Sequence, residues 1–207
     1  MHSIFDKFLV REKHVCPWYC CFTFDNIFRR LVQKPEDILK GLVKEGMTAL
    51  DIGPGMGYFS IPMAKMVGPE GKILALDVQE KMLSGLKKRA VRNGVEKRID
   101  CRLVRDSHWG IADEADFALS FWMVHEVPNQ EEFLSSVFMA LKAKGQYLIA
   151  EPKLHVSPKN MDNTIGSAKH LGFQVIGKPK IFFSRSVLLQ KPVLPEPPLL
   201  RTPLHSA

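Results

Sequence analysis

Apolar and polar positions follow two rhythms along the chain, and the switches between them mark its elements. Met47-Thr48-Ala49-Leu50 and Lys72-Ile73-Leu74-Ala75-Leu76 are short apolar runs bounded by turn residues, the form of buried strands, and each ends on an acid, Asp51 and Asp77. Asp116–Phe121 and Tyr147–Ala150 repeat the form, the second running into Glu151-Pro152. Ile99, Cys101 and Leu103 alternate with Arg98, Asp100 and Arg102, which predicts a strand ending near Asp106-Ser107. Between these runs the spacing becomes helical. Pro35-Glu36-Asp37 opens a helix whose stripe is Ile38, Leu39, Leu42 and Val43 and whose stop is Gly46. Further helices are predicted from Tyr58 to Gly68, from Gln79 to Gly94 with Met82, Leu83, Leu86 and Ala90 inward, and around Phe133, Leu134, Val137, Phe138 and Leu141. Ser157-Pro158 caps the last one, with Met161, Ile165 and Ala168 on one face and Gly172 at its end. Phe173–Ile176 and Ile181–Leu189 form a closing hairpin about Gly177-Lys178-Pro179-Lys180.

Five β-α units and a hairpin predict an α/β fold, a Rossmann-like doubly wound sheet with helices on both faces, over residues 35–190. Residues 1–34 carry amphipathic helical spacing at Phe24, Ile27, Phe28 and Leu31 and form an N-terminal helical lid segment. Residues 191–207, with Pro192, Pro195, Pro197, Pro198 and Pro203, form a flexible tail.

The chemistry gathers at Asp51-Ile52-Gly53-Pro54-Gly55-Met56-Gly57, a glycine-rich turn between the first strand and a helix. Asp77 follows Gly57 by 20 positions (77 − 57), at the end of the next strand, where an acid can bind the hydroxyls of a ribose. Such a bond is worth roughly 1.5–3 kcal/mol. The frame is not the dinucleotide G-x-G-x-x-G, because Tyr58 stands at its last glycine, and this disfavours a nicotinamide oxidoreductase. No phosphate-cradling G-x-x-x-x-G-K-[ST] occurs.

An acid followed by G-x-G-x-G, with Asp77 after it, resembles motif I and its companion acid in class I S-adenosylmethionine-dependent methyltransferases. The segment from Arg29-Arg30 through Pro35-Glu36-Asp37-Ile38-Leu39 to Gly46–Gly53, with Val124-His125-Glu126-Val127, is most similar to the ubiquinone/menaquinone-biosynthesis and arsenite methyltransferase branch. The resemblance implies a mostly parallel sheet with an antiparallel last strand. It also implies S-adenosylmethionine as cofactor and S-adenosylhomocysteine as product. That cofactor has no phosphates; its carboxylate can lie near a helix N-terminus and its ammonium can meet Asp51. The residues so assigned are Asp51, Gly53, Gly55, Gly57, Asp77, Val78 and Met82, with Asp106 and Ser107 on the adenine side and Phe121 along the border.

His125 and Glu126, just past the fourth strand, are the candidate catalytic pair, although a histidine here is often structural in related enzymes. Methyl transfer needs no base when the acceptor is already nucleophilic, since in-line positioning can supply about 7–11 kcal/mol. Ser120-Phe121-Trp122-Met123 replaces the Asn/Asp-Pro-Pro-aromatic motif of nucleic-acid amino-methyltransferases. Trp18, Tyr19 and Phe22 in the lid point to a small, partly apolar acceptor. His14, Cys16, Cys20 and Cys21 lack the paired spacing of common zinc sites, so no metal is assigned. They sustain one alternative, a non-catalytic protein of the same fold that binds the cofactor or a thiol-seeking metal or arsenic.

Composition narrows this further. The chain has 207 residues, 45% hydrophobic and 25% charged, which suits one domain with a single core. No apolar run approaches the ~18 residues of a membrane span, and Asp6, Lys7, Arg11, Glu12 and Lys13 interrupt any signal-peptide pattern, so the expected location is the cytoplasm. The net charge of +7 is partly held by Lys87-Lys88-Arg89, Arg92, Lys97 and Arg98, which read as a solvated helix face. No aromatics interleave with that cluster, so a small-molecule partner is favoured over nucleic acid.

Overall fold

The computed structural model describes residues 31–105 and 114–193. Seven strands form one sheet: β1 Thr48–Ile52, β2 Lys72–Asp77, β3 Ile99–Leu103, β4 Ala115–Phe121, β5 Leu141–Pro152, β6 Gln174–Gly177 and β7 Ser184–Gln190. Their order is β3-β2-β1-β4-β5-β7-β6. β1 to β5 pair parallel, while β7 runs antiparallel to both β5 and β6. The expected doubly wound sheet with an antiparallel last strand is therefore present.

Strand pleating explains the two cores. Leu50 and Ile52 of β1 point to one face, where they join Leu74, Tyr147, Phe133, Leu134 and Ile165. Ala49 points to the other, with Ile73, Phe117, Leu119, Met63 and Leu86. Helices α1 Pro35–Leu39, α2 Ser60–Met66 and α3 Glu80–Arg92 cover the second face, and α4 Gln130–Ala140 and α5 Pro158–His170 the first. At the N-terminal strand ends, Asp116 accepts from Thr48 N at 2.9 Å and from Lys142 Nζ at 2.8 Å, tying β1, β4 and β5. At the opposite ends, β1 and β4 are neighbours although the chain leaves them in opposite directions. This is the switch point at which open α/β sheets bind ligands.

Several boundaries differ from the sequence expectation. The helix from Pro35 was expected to reach Gly46 but ends at Leu39, because Gly41 takes φ +79° and turns the chain; Leu39 and Val43 are still buried. α2 begins at Ser60 rather than Tyr58, since the glycine turn occupies the first residues. β5 starts at Leu141, which was expected in the preceding helix, and Lys144-Gly145 is a kink within the strand, with Lys144 at φ 65° and a register shift between Ala115 and Phe117. β3 ends at Leu103; residues 106–113 lie outside the described part. It is the edge strand, and Cys101 in it is half-buried. The last hairpin connection is longer than Gly177–Lys180 and runs to Phe183.

Gly57 carries the close packing of α3 on the turn. It has φ +91°, and a Cβ there would lie 2.3 Å from Leu86 Cδ1, a side chain with no exposed surface. Gly57→Ala is expected to cost ~2–4 kcal/mol from left-handed strain plus overpacking, read as a lower midpoint in urea unfolding.

Candidate functional site

The turn after β1 is fastened from below. Asp51 is buried and accepts from Ser60 Oγ, the first residue of α2, at 2.5 Å, so the acid spans the turn it precedes. Gly53 N donates to Leu76 O at 2.9 Å, and Gly57 N to Pro54 O at 2.9 Å. Gly53 has φ +72°, and a Cβ on it would come within 2.9 Å of Met123 Cγ. Met123, from beyond β4, therefore lies over the first glycine. Tyr58, in place of a further glycine, donates its hydroxyl to Gln33 O at 2.9 Å, and Gln33 Nε2 donates to Phe182 O at 2.7 Å. Gln33 thus fastens the start of the described chain beside the turn.

Asp77 closes β2 and is 7% exposed. Gln79 N donates to its Oδ1 at 2.8 Å. Burial is the main cause that pushes its carboxyl up to about 6; the N–H groups of Gln79, Gly55 and Val78 oppose this, and the charge of Glu126 adds to it. The glycine turn, Asp77 and Glu126 therefore face one region.

The end of β4 supplies the other wall. Trp122 has φ 62°, an outlier for so bulky a residue. Its N donates to Ala150 O at 2.7 Å and its Nε1 to Ser184 Oγ at 2.9 Å, which hold the conformation. A 3-10 turn, Val124–Glu126, follows. Beneath it lies Glu151, 2% exposed at the end of β5. Its Oε1 accepts from Met123 N at 3.2 Å and Val124 N at 3.0 Å; its Oε2 accepts from His125 N at 3.1 Å and meets His125 Nδ1 at 2.5 Å. The other ring nitrogen, Nε2, is 4.0 Å from Glu126 Oε1. Burial works against a charge on His125, but the hydrogen bond and charge of Glu151 and the charge of Glu126 prevail and raise its pKa above the ordinary imidazole value.

The structure thus brings Asp51, Gly53, Gly55, Gly57, Asp77, His125 and Glu126 to the same strand ends. Val78 is partly exposed there. Met82 is buried in the first turn of α3, and Phe121 is buried with its ring 4.5 Å from that of Phe59. Trp18, Tyr19, Phe22, Asp106 and Ser107 lie outside the described residues, as do Cys16, Cys20 and Cys21. Among the described residues, no group of three or more His, Cys, Asp or Glu is set to hold a metal ion. No described helix is long and apolar enough to cross a membrane. Glu151, Trp122, Met123 and Gln33 were not singled out from the sequence. Glu151 alone left a signal, an acid ending an apolar strand as Asp51 and Asp77 do.

Four carboxylates thus border the C-terminal ends of β1, β2, β4 and β5 in a chain of net charge +7. These acceptors suit S-adenosylmethionine, whose ribose hydroxyls, ammonium and sulfonium all call for carboxylates. The methyltransferase domain family matches residues 43–176. The chain is 30% identical over 117 residues to demethylmenaquinone methyltransferase of Lactobacillus johnsonii, covering 56% of this chain and 48% of that protein. It is 27% identical over 107 residues to arsenite methyltransferase of Halobacterium salinarum, covering 51% and 27%. The chain thus spans about half or less of the length of these curated relatives. A SAM-dependent methyltransferase from Aquifex aeolicus shares the fold, with TM-score 0.76 and 23% identity over 86% of this chain and all of that one.

Asp77 makes stability depend on pH with a definite sign. Between its ordinary 3.8 and its folded value of about 6 the native state holds the extra proton, so stability falls as pH rises through that window. Asp77→Asn is expected to stabilise the ligand-free protein at pH 7 by roughly 3 kcal/mol, and to leave it unchanged at pH 3.5, in paired thermal unfolding curves.

Proposed function

We propose that this chain, which belongs to the methyltransferase domain family, binds S-adenosylmethionine at the switch point and passes its methyl group to a small-molecule acceptor by in-line displacement, leaving S-adenosylhomocysteine. The bound cofactor supplies an electrophilic methyl on a sulfonium. The protein supplies position and charge. Asp77 accepts from the ribose hydroxyls, with Val78 beside the base and Met82 supporting that wall. The Gly53–Gly57 turn lets the cofactor's amino-acid portion approach the backbone closely, and Asp51 faces its ammonium while held by Ser60. Phe121 backs the cleft, and Asp106 and Ser107 complete the adenine side. The observation that carries the reading is Asp77, a buried carboxyl beside the glycine turn that folding alone disfavours as an anion.

On the acceptor side, His125 and Glu126 form the reactive pair. Glu151 fixes the ring through Nδ1, as the acid of a triad orients its histidine, which leaves Nε2 to take a proton from the acceptor. Trp18, Tyr19 and Phe22 of the 1–34 lid select an apolar molecule. Gln33, which bridges Tyr58 and Phe182, holds the start of the described chain beside the turn. The names of the two relatives, one acting on demethylmenaquinone and one on arsenite, also support a small acceptor. The cytoplasm is the proposed location.

Calorimetric titration with S-adenosylmethionine and S-adenosylhomocysteine tests the cofactor. Both should bind, Asp77→Ala should lose at least tenfold in affinity, and binding at pH 6 should release protons that are not released at pH 8, because hydroxyl donors favour the ionised form of Asp77. Absence of binding to the intact chain would remove the reading.

For His125, kcat/KM for a found acceptor should rise with pH and level off above the raised imidazole pKa. His125→Asn should lower kcat by about 10²–10⁴. Its stability effect has the opposite pH sense, since the raised pKa favours the fold below pH 6.5 and loses that contribution as pH rises through the folded value. Full turnover by a folded His125→Asn protein would assign His125 to anchoring the loop.

A further inference from the structure

The tip of the β6–β7 connection is built against local preference. Ser184 N donates to Ile181 O at 3.1 Å, which closes a tight turn with Phe182 and Phe183 at its apex. Such apices favour glycine, asparagine, aspartate or proline. Here two phenylalanines stand there, 52% and 50% exposed, and Phe183 holds φ 56°. Their rings meet edge to face at 4.7 Å. Lys153 N donates to Phe183 O at 3.0 Å, which sets Leu154, 83% exposed, alongside. Strain that displays apolar surface to water is not explained by folding.

Cations flank this apex. An open cavity of about 250 Å³ between α5 and β7 is lined by Lys153, Lys178 and Arg185 with Ser184 and Ser186, against one acid, Asp162. Arg185 is fixed there by its Nε, which donates to Val156 O at 2.9 Å. Lys34 and Lys180 are exposed beside the same connection. An apolar wedge beside a cavity rich in cations fits an interface of acyl chains below and phosphate headgroups above. It fits a protein partner less well, because a stable apolar interface core is depleted of lysine.

We propose that this face, Leu154, Phe182 and Phe183 with Lys153, Lys178 and Arg185, docks the protein reversibly on an anionic lipid surface, with a headgroup phosphate in the cavity. Ser184, which follows the apex, bonds Trp122 at the wall of the cleft, so docking sets the cleft's rim at the lipid surface. The proposal goes beyond methyl transfer and requires no bound cofactor.

The test is cosedimentation of the full chain with vesicles of phosphatidylglycerol and phosphatidylcholine, against vesicles of phosphatidylcholine alone. Binding should be confined to the anionic vesicles and weaken with salt. Leu154→Glu with Phe182→Glu should abolish it without changing the unfolding midpoint. Lys153→Ala and Lys178→Ala should each weaken it about fivefold and reduce its salt dependence. Inorganic phosphate at equal ionic strength should weaken vesicle binding no further than Lys153→Ala does, because the apolar apex still inserts; complete displacement would reassign the cavity to a free anion and overturn docking. Equal binding by the double glutamate variant would also overturn it. So would a lipid-free dimer that this variant makes monomeric, which would give the face to a second copy. Amide exchange at Leu154 and Phe182 already slow without lipid and unchanged by it would give the face to the chain's own N-terminal segment, with the same consequence.

Discussion

One buried carboxylate organises the β4 side of the cleft. Glu151 accepts from three consecutive backbone N–H groups, those of Met123, Val124 and His125, and from the His125 ring. Without it, those donors would be buried with no acceptor, at a cost of about 1–3 kcal/mol each. The path of the chain beyond β4 follows from this. Trp122 is forced into a left-handed conformation to reach the loop, Met123 is laid over Gly53, and His125 turns Nε2 toward Glu126. The two halves of the cleft meet where Met123 lies on Gly53, and the side chain that positions Met123 comes from β5, two strands from β1 in the sheet.

The β2 side rests on the opposite kind of compromise. Glu151 is buried and well partnered. Asp77 is buried and, by its raised pKa, only partly compensated by the N–H groups around it. A side chain chosen for stability at that strand end would be neutral. Keeping an acid there leaves an unfavourable charge in the folded protein, which the hydroxyl donors of the proposed cofactor would relieve. Glu126 links the halves electrostatically, since its charge raises both Asp77 and His125. Neutralising His125 would expose Asp77 to more of that charge.

The parts of this arrangement that could be read from residues are those encoded locally. Strands β1, β2 and β4, the stripe of α3, the glycine turn and the acids Asp51 and Asp77 are each specified by neighbours within a few positions. Glu151 was visible as an acid after an apolar run, but its partners lie 26 to 28 positions away, and no periodicity reports them. Trp122 looked like an ordinary aromatic, because a positive φ in a bulky residue is imposed by tertiary hydrogen bonds. The G-x-G-x-G spacing was read as a departure from the dinucleotide frame at Tyr58; the structure supplies its reason. The glycine that admits α3 is Gly57, against Leu86, which frees position 58 for a tyrosine that bonds Gln33. The helix from Pro35 was overextended because Leu42 and Val43 continue its apolar spacing, and Val43 is buried from a turn instead.

Charge is distributed by the sheet's geometry. Parallel strands bring their C-terminal residues to one edge, and here those residues are acids: Asp51, Asp77 and Glu151, with Glu126 just beyond β4. Among the described residues, basic side chains gather elsewhere, on the outer side of α3 and around the β6–β7 connection. A cationic small molecule and an anionic surface would be drawn to different parts of one rim. Because β7 inserts antiparallel between β5 and β6, its first residues emerge at the C-terminal end of β5, beside Trp122. The antiparallel strand thus does more than close the sheet. It carries an aromatic, basic turn to the mouth of an acidic cleft, a juxtaposition that an all-parallel sheet would place at the opposite end.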